Sequence, residues 1–451
     1  MRIKQRPVFS TATALSSGLL LLVALAGCGS GGSVAPTLSG ELKGLAPGGV
    51  LILTVNGQSQ QFSTSEYAKQ PDLTFSRPFG VGESYTIDVV KHPVGQICAV
   101  LRGRAGRLDA AVSNVLVECH TTRLNDTGLY GSTPAQISAL APDSGSGRDA
   151  ESQRLTKVGA GAFGFDYTKV CTSGAPVDQA GGCPTGETWD CVRDNVTELM
   201  WRRSDVPFTS GSTTPAASES LCGRRNWRAP TVHELLSVVH AGKDVKPFVD
   251  TDFFTATQPD TPFYTSEIYL DGSSGRWAVD FANGGAAGKQ VAGDSRARWV
   301  SGSSALNDPP PSAYSRTEVN ANYLIIDTSR ELMWLVPKTL VQGDWSGAVA
   351  GVSSINAGAL GGYSDWRLPN RGELDALANR NYAKPALDPK VKEAIADPTA
   401  ASVVYWSSSA WTRDTARAWV VDLAYGDISP KLKTDSARLI YVRNRAFNAA
   451  P

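Results

Sequence analysis

Four histidines and three methionines in 451 residues leave this chain little material for several kinds of chemistry. No Cys-x-x-Cys pair occurs, and no two histidines stand one helical turn apart, as a zinc site would need. The nearest approach is "HELLSVVH", His233 to His240. A zincin helix requires His-Glu-x-x-His, and here Ser237 holds the second ligand position. No Gly-x-Ser-x-Gly elbow is present to carry a nucleophilic serine. Neither charge sign is in excess, with 43 basic against 43 acidic residues. The first 27 residues hold three basic and no acidic ones, so 40 basic face 43 acidic beyond them. That balance gives no electrostatic case for a nucleic-acid partner. After the N-terminal segment no apolar run is long enough to span a bilayer. The expectation is a protein without metal or cofactor.

What is present begins with an address. Arg2, Lys4 and Arg6 precede an apolar run from Gly18 to Gly27, too short to cross a membrane and built like a cleavable signal. It ends in Leu25-Ala26-Gly27-Cys28, which resembles the lipobox of bacterial lipoproteins. That resemblance implies cleavage before Cys28 and acyl chains on it, a stable membrane anchor. Gly29 follows, not the Asp that retains lipoproteins at an inner membrane, so the resemblance implies an outer-membrane protein, periplasmic or surface-exposed. Six further cysteines, an even number in an exported chain, read as disulfides. The length beyond the signal suggests two or three domains.

A Gly/Ser tether (28–40) leads into a segment of short strands, 41–120. Asn56-Gly57 between two runs of strand formers is a strong hairpin signal. Tyr85, Ile87 and Val89 alternate with polar residues, as in a strand buried on one face. A small β-sandwich is expected, and its "GQICAV…VLVEC" ending resembles Ig-like repeats of bacterial surface lipoproteins. Residues 121–160 are Ser/Gly/Asp-rich and read as a loose lead-in to the next domain.

Beyond that point the chain repeats itself. "VRDNVTELMW" (Val192 to Trp201) answers "IIDTSRELMW" (Ile325 to Trp334) at an offset of 133. "NWRAPTVHELL" (from Asn226) answers "DWRLPNRGELD" (from Asp365) at 139. "FYTSEIY…RWAVDFANG" (from Phe263) answers "YWSSSAW…AWVVDLAYG" (from Tyr405) at 142. The copies are expected at 121–302 and 319–451, with a Pro-rich linker, 303–318, between them.

These strings resemble the Lcl C-terminal domain family of bacterial extracellular modules, whose pattern runs D-x-x-T-G-L-M-W, D-W-R-L-P-T-x-x-E-L, Y-W-S-S and W-x-V-D-F. The resemblance implies an α+β fold, two tandem domains like the C-type lectin and formylglycine-generating group, after an all-β sandwich. It also implies an adhesion or binding role, since the family's namesake is an adhesin that binds sulfated glycosaminoglycans. Three departures stand out: Glu198 and Glu331 replace the Gly before Leu-Met-Trp, and Ala229 replaces the Leu of W-R-L-P. The expected disulfides are Cys98–Cys119, Cys171–Cys183 and Cys191–Cys222.

Most repeated residues read as scaffold. Thr231 with Glu234, and Asn370 with Glu373, have capping-box spacing. Leu235, Leu236 and Val239, and Leu374, Leu377 and Ala378, make apolar helical stripes. Trp201 and Trp334, Trp227 and Trp366, and Trp277 and Trp419 should be buried equivalents. Arg228 and Arg367 either pair with carboxylates, Asp280 and Asp422 among the candidates, or snorkel to solvent. "QPD" at Gln258 to Asp260 matches a lectin tripeptide but lacks its downstream partner string, and the sequons at Asn125 and Asn195 read as turns. For ligand contact, Tyr269 and its counterpart Trp411 lie in polar stretches between strands, with Arg413 beside Trp411 and Asp271 at the equivalent place. The expected function is a non-enzymatic envelope binding protein for a glycan or protein ligand. An assembly lipoprotein is the alternative, and an envelope enzyme a weaker one.

Overall fold

The computed structural model describes residues 35–65, 70–131, 142–177, 181–208, 220–291, 295–302, 313–395, 398 and 403–445. The signal segment, Cys28, most of the tether and the Pro-rich break fall outside the described residues.

Asn56 and Gly57 both take the left-handed conformation, φ 49° and 80°, that a two-residue hairpin turn demands. They join β2 (Val50–Val55) to β3 (Gln58–Ser63), which follow β1 (Leu38–Lys43). β4 (Leu73–Thr74), β5 (Glu83–Lys91), β6 (Gln96–Arg102), β7 (Ala105–Leu108) and β8 (Val112–Thr121) complete two four-stranded sheets, ordered β4-β1-β8-β6 and β3-β2-β5-β7. Their inward faces bury one core that includes Leu53, Ile87, Val117 and the Cys98–Cys119 bridge. The first strand starts at Leu38, inside the stretch read as tether.

The first repeat contains β9 (Tyr167–Cys171), β10 (Trp189–Asp194), β11 (Met200–Arg202), β12 (Val206–Pro207), helix α1 (Val232–Leu236), β13 (Phe263–Ile268), β14 (Arg276–Val279), β15 (Ala286–Lys289), β16 (Arg296–Ala297) and β17 (Val300–Ser301). The second contains β18 (Tyr314–Val319), β19 (Asn322–Asp327), β20 (Leu332–Pro337), β21 (Gln342–Gly343), α2 (Trp345–Ala357), α3 (Arg371–Ala376), β22 (Val404–Ala410), β23 (Arg417–Asp422), β24 (Asp427–Leu432), β25 (Ala437–Arg438) and β26 (Tyr441–Asn444). β18 begins inside the expected linker. Each repeat has a four-stranded outer sheet, β17-β11-β10-β9 and β18-β19-β20-β26. The remaining strands of both form one ten-stranded sheet, β12-β16-β13-β14-β15-β24-β23-β22-β25-β21. Its order reads alike from either end. At the centre Ala286 of β15 pairs antiparallel with Ile428 of β24, and these two are equivalents at the offset of 142. A local two-fold axis therefore passes between them.

The α+β class is overturned. Strand accounts for 38% and helix for 11%, and the structure is mostly β-sheet. The physical reason is helix length: the two capping boxes do form, but α1 runs five residues and α3 six. Val239, expected to continue the first stripe, is already in a bridge with Val249. A lectin-like helical layer is absent among the described residues.

The paired tryptophans anchor the interior. Trp201, Trp334 and Trp419 are 0% and Trp277 1% exposed, all in one core cluster that spans both repeats. Trp227 and Trp366 are buried in two smaller clusters. The Cys171–Cys183 and Cys191–Cys222 bridges staple the first repeat.

Glu198 and Glu331 sit at the end of tight turns opened by Asp194 and Asp327, whose Oδ1 atoms accept two backbone N–H groups each. Both glutamates have positive φ, 64° and 55°, a conformation that costs an L-residue about 1–2 kcal/mol. This is the place where the resembling pattern has Gly. Glu198 is exposed, so Glu198→Gly should raise the unfolding free energy by about 0.5–1 kcal/mol after the entropy cost of Gly, read in urea. Glu331→Gly should gain less, because Glu331 also lies 3.6 Å from Arg445. A loss at Glu198 would mean that the turn is not strained.

Candidate functional site

Arg228 and Arg367 resolve as ion-paired scaffold. Each guanidinium makes a bidentate pair with the capping-box glutamate, Arg228 to Glu234 at 2.7 and 2.6 Å and Arg367 to Glu373 at 2.6 and 2.6 Å. The partners suggested from sequence, Asp280 and Asp422, instead hold turns: Asp280 accepts from Ala282 N and Asn283 Nδ2, Asp422 from Val403 N and Ala424 N. His233 serves the repeat junction. Its Nδ1 lies 2.7 Å from Asp375 Oδ2 and its Nε2 2.8 Å from the Ala378 carbonyl. His240 is buried against Phe163 and Phe165. Among the described residues no group of three or more His, Cys, Asp or Glu side chains could hold a metal ion. Asp260 of the "QPD" string pairs with Lys246, and the two sequon asparagines bond to Asp194 and Asp166 within the fold.

The lead-in expected to be loose is partly buried between the repeats. Asp126 Oδ1 accepts from Asn370 Nδ2 at 2.9 Å, and Asp143 Oδ2 accepts from Ser409 Oγ at 2.6 Å. Asp149 accepts from the amides of Gly128 and Gly164. All three carboxyls lie buried with no cation bonded to them among the described residues, and burial raises their pKa values: Asp126 to about 6, Asp143 to about 8, aided by Asp126, and Asp149 well above the ordinary range.

Tyr269 and Trp411 do not stand out in solvent as expected; both are half-buried against their own sheet. Tyr269 packs edge-on to Trp277, with ring centroids 4.8 Å apart, and its hydroxyl donates to Asp427 Oδ2 of the other repeat at 2.8 Å. Trp411 packs edge-on to Trp419 at 6.5 Å, and Arg413 lies 6.0 Å over its ring. Arg413 is exposed and donates from Nη1 to the Ala282 carbonyl of the first repeat at 3.0 Å.

Trp411 and Arg413 form one wall of a cleft of about 760 Å³ at the junction of the repeats. Ala286, Ile428 and Pro430 contribute apolar surface to it, and Asn283 and Lys289 polar groups. Its volume falls in the range of small-ligand sites, about 300–1,000 Å³. Of the two carboxylates in its lining, Asp280 is committed to its turn and Asp260 pairs with Lys246, whereas Lys289 makes no ion pair among the described residues. The cleft therefore combines an aromatic ring, two cations, an amide and two carboxylates that already have partners. Asn283, Gly285 and Lys289 escaped sequence reasoning because they meet Trp411 and Arg413 only when the two repeats pair. The one available signal was that Asn283 and Gly285 differ from their equivalents, Tyr425 and Asp427.

No curated protein matches the chain. The Lcl C-terminal domain profile matches it over residues 190–301 and 323–443, more than half its length and both repeats. The duplicated strings, the two four-stranded sheets and the shared sheet thus come from one module used twice, and the chain belongs to the Lcl C-terminal domain family.

Proposed function

We propose that this chain is a non-enzymatic binding protein of the cell envelope, lipid-anchored at Cys28, which holds a carboxylate-bearing glycan in the cleft beside Trp411. The observation that carries the proposal is the cleft itself, where an aromatic side chain, Arg413 and Lys289 face one space of ligand size. An indole ring offers a stacking surface for a sugar ring, and the two cations favour an acidic one. The family supports an adhesin-like role in general terms. The signal segment and the lipobox-like Cys28 supply the expected membrane attachment, and no helix among the described residues is long and apolar enough to cross a membrane.

Full-length protein in detergent should be applied to a panel of neutral and carboxylated oligosaccharides. Binding to a carboxylated member is expected, and Trp411→Ala should weaken it at least about fivefold, since losing a stacking aromatic costs about 1 kcal/mol or more. Raised salt should weaken it too. Equal affinity of wild type and Trp411→Ala, or no binding to any member, would remove the cleft as a glycan site.

A further inference from the structure

We infer that the tandem pair carries one ligand site rather than two, because the second site, related by the local two-fold axis, is plugged by Tyr425 and Asp427; the inference rests on the cleft proposed above.

The axis between Ala286 and Ile428 relates Trp411, Arg413, Asn283, Gly285, Lys289 and Pro430 of the cleft to residues on the other side. Equivalent hydrogen bonds confirm the correspondence: Tyr269 N donates to Gly275 O and Trp411 N to Arg417 O, and Ser266 N donates to Pro230 O as Ser408 N does to Pro369 O. On one side Tyr269 crosses the axis, with Tyr425 5.6 Å from its ring and Asp427 accepting its hydroxyl proton. It lies flat across β15 because Gly288 is beneath it. A Cβ at Gly288 would sit 2.3 Å from the Tyr269 ring.

On the other side each of these four residues is different. Trp411 stands for Tyr269, Asn283 for Tyr425, Gly285 for Asp427 and Pro430 for Gly288. Gly285 offers no carboxylate, and the indole N–H of Trp411 has no hydrogen-bond partner among the described residues. Pro430 fills the space that Gly288 leaves empty, so the Trp411 ring stays 6.5 Å from Trp419 where Tyr269 reaches 4.8 Å from Trp277. Asn283 is too short to close the gap that Tyr425 closes opposite. The result is the 760 Å³ cleft on one side and packed side chains on the other.

One aligned position also reverses its charge. Arg413 marks the open side and its equivalent, Asp271, the closed one. Lys431, the equivalent of Lys289, is engaged with Asp435 at 3.1 Å, which leaves Lys289 as the available cation. The closed side is thus filled, while the open side is vacant and holds Arg413 and Lys289 beside Asp280 and the Lys246-paired Asp260. A ligand can enter only the open one.

Two measurements on the full-length chain separate this inference from the cleft proposal. Hydroxyl-radical footprinting needs no ligand: after normalisation for intrinsic reactivity, Trp411 should oxidise several-fold faster than Tyr269, and Asn283→Tyr should slow it to a similar rate. Calorimetry with trigalacturonic acid as probe should give one site per chain, with affinity lowered at least tenfold by Asn283→Tyr. Tyr425→Asn should leave the stoichiometry at one, because Asp271 and Asp427 remain. Two sites per chain, or equal oxidation of Trp411 and Tyr269, would overturn the one-sided arrangement while leaving the cleft proposal intact. Unequal oxidation without any trigalacturonate binding would sink both the cleft reading and the single site.

Discussion

Glu373→Ala is expected to destabilise the protein by about 3–5 kcal/mol, the cost of stranding a buried charge by removing its partner. Three roles converge on this carboxylate. It receives both Nη atoms of Arg367 at 2.6 Å, it accepts the Asn370 N–H at 2.9 Å to close the capping box, and it fixes α3 against the last strand. Arg367 is joined to that strand by a third contact, Nη2 to Asn444 Oδ1 at 3.0 Å, and by its backbone bridge to Val442. The pair is little exposed, 17% for Arg367 and 8% for Glu373, so solvent screens it weakly. Glu234→Ala should cost less, because Arg228 is 31% exposed and can turn to water. Urea unfolding followed by tryptophan fluorescence measures both. Glu373→Gln, which keeps a cap acceptor and loses the charge, should fall between wild type and Glu373→Ala. A loss below about 1 kcal/mol for Glu373→Ala would show that Arg367 finds water or another acceptor.

That pair marks the boundary of what the sequence disclosed. The duplication, the capping boxes, the hairpin at Asn56-Gly57 and the three disulfides follow local rules, and local rules are readable from one chain. That Arg228 and Arg367 either pair with carboxylates or snorkel to solvent also follows from their place beside core tryptophans. Which carboxylates was misjudged, because Glu234 and Glu373 already had a role as caps. A carboxylate has lone pairs enough for a cap amide and a bidentate arginine together. The shared ten-stranded sheet was hidden, since β15 and β24 pair across some 140 residues with no local signal. The class was misread for a related reason. Short apolar stripes with good caps look like the starts of helices, and only tertiary packing decides whether they continue. Burial of the lead-in was hidden by its composition. Asp, Ser and Gly read as loop, yet the aspartates supply acceptors to amides and hydroxyls of both repeats.

Those aspartates set the second large expectation: stability should fall as pH rises from about 6.5 to 8. Burial first, and their mutual repulsion second, lift Asp143 to about 8 and hold Asp149 well above its usual range. A carboxyl whose pKa is higher in the fold than in the unfolded chain keeps its proton across the window between the two values. Through that window the unfolded chain ionises while the fold does not, so stability is complete below about pH 4 and lost as pH climbs through the folded values. Each such proton contributes about 1.4 kcal/mol per pH unit. The buried histidines work in the opposite sense and in another range. Burial lowers His120 to about 3 and His240 to about 4, so their contribution is present above pH 6.5 and declines below it. Between pH 6.5 and 8 the carboxyl effect therefore stands nearly alone, with a loss on the order of 2 kcal/mol. Asp143→Asn keeps the shape, removes one of the two ionisations, and should lessen that slope while leaving the protein more stable than wild type at pH 8. Thermal unfolding at pH 6.5, 7.2 and 8.0 reads both. A melting temperature that stays level or climbs over this range would mean that the carboxyls ionise within the fold. The consequence reaches the cleft, because Asp143 accepts from Ser409, two residues before Trp411 on the same chain segment. Charging Asp143 should loosen the end of β22, so affinity at the Trp411 cleft should weaken with stability over the same pH interval, and Asp143→Asn should hold it constant.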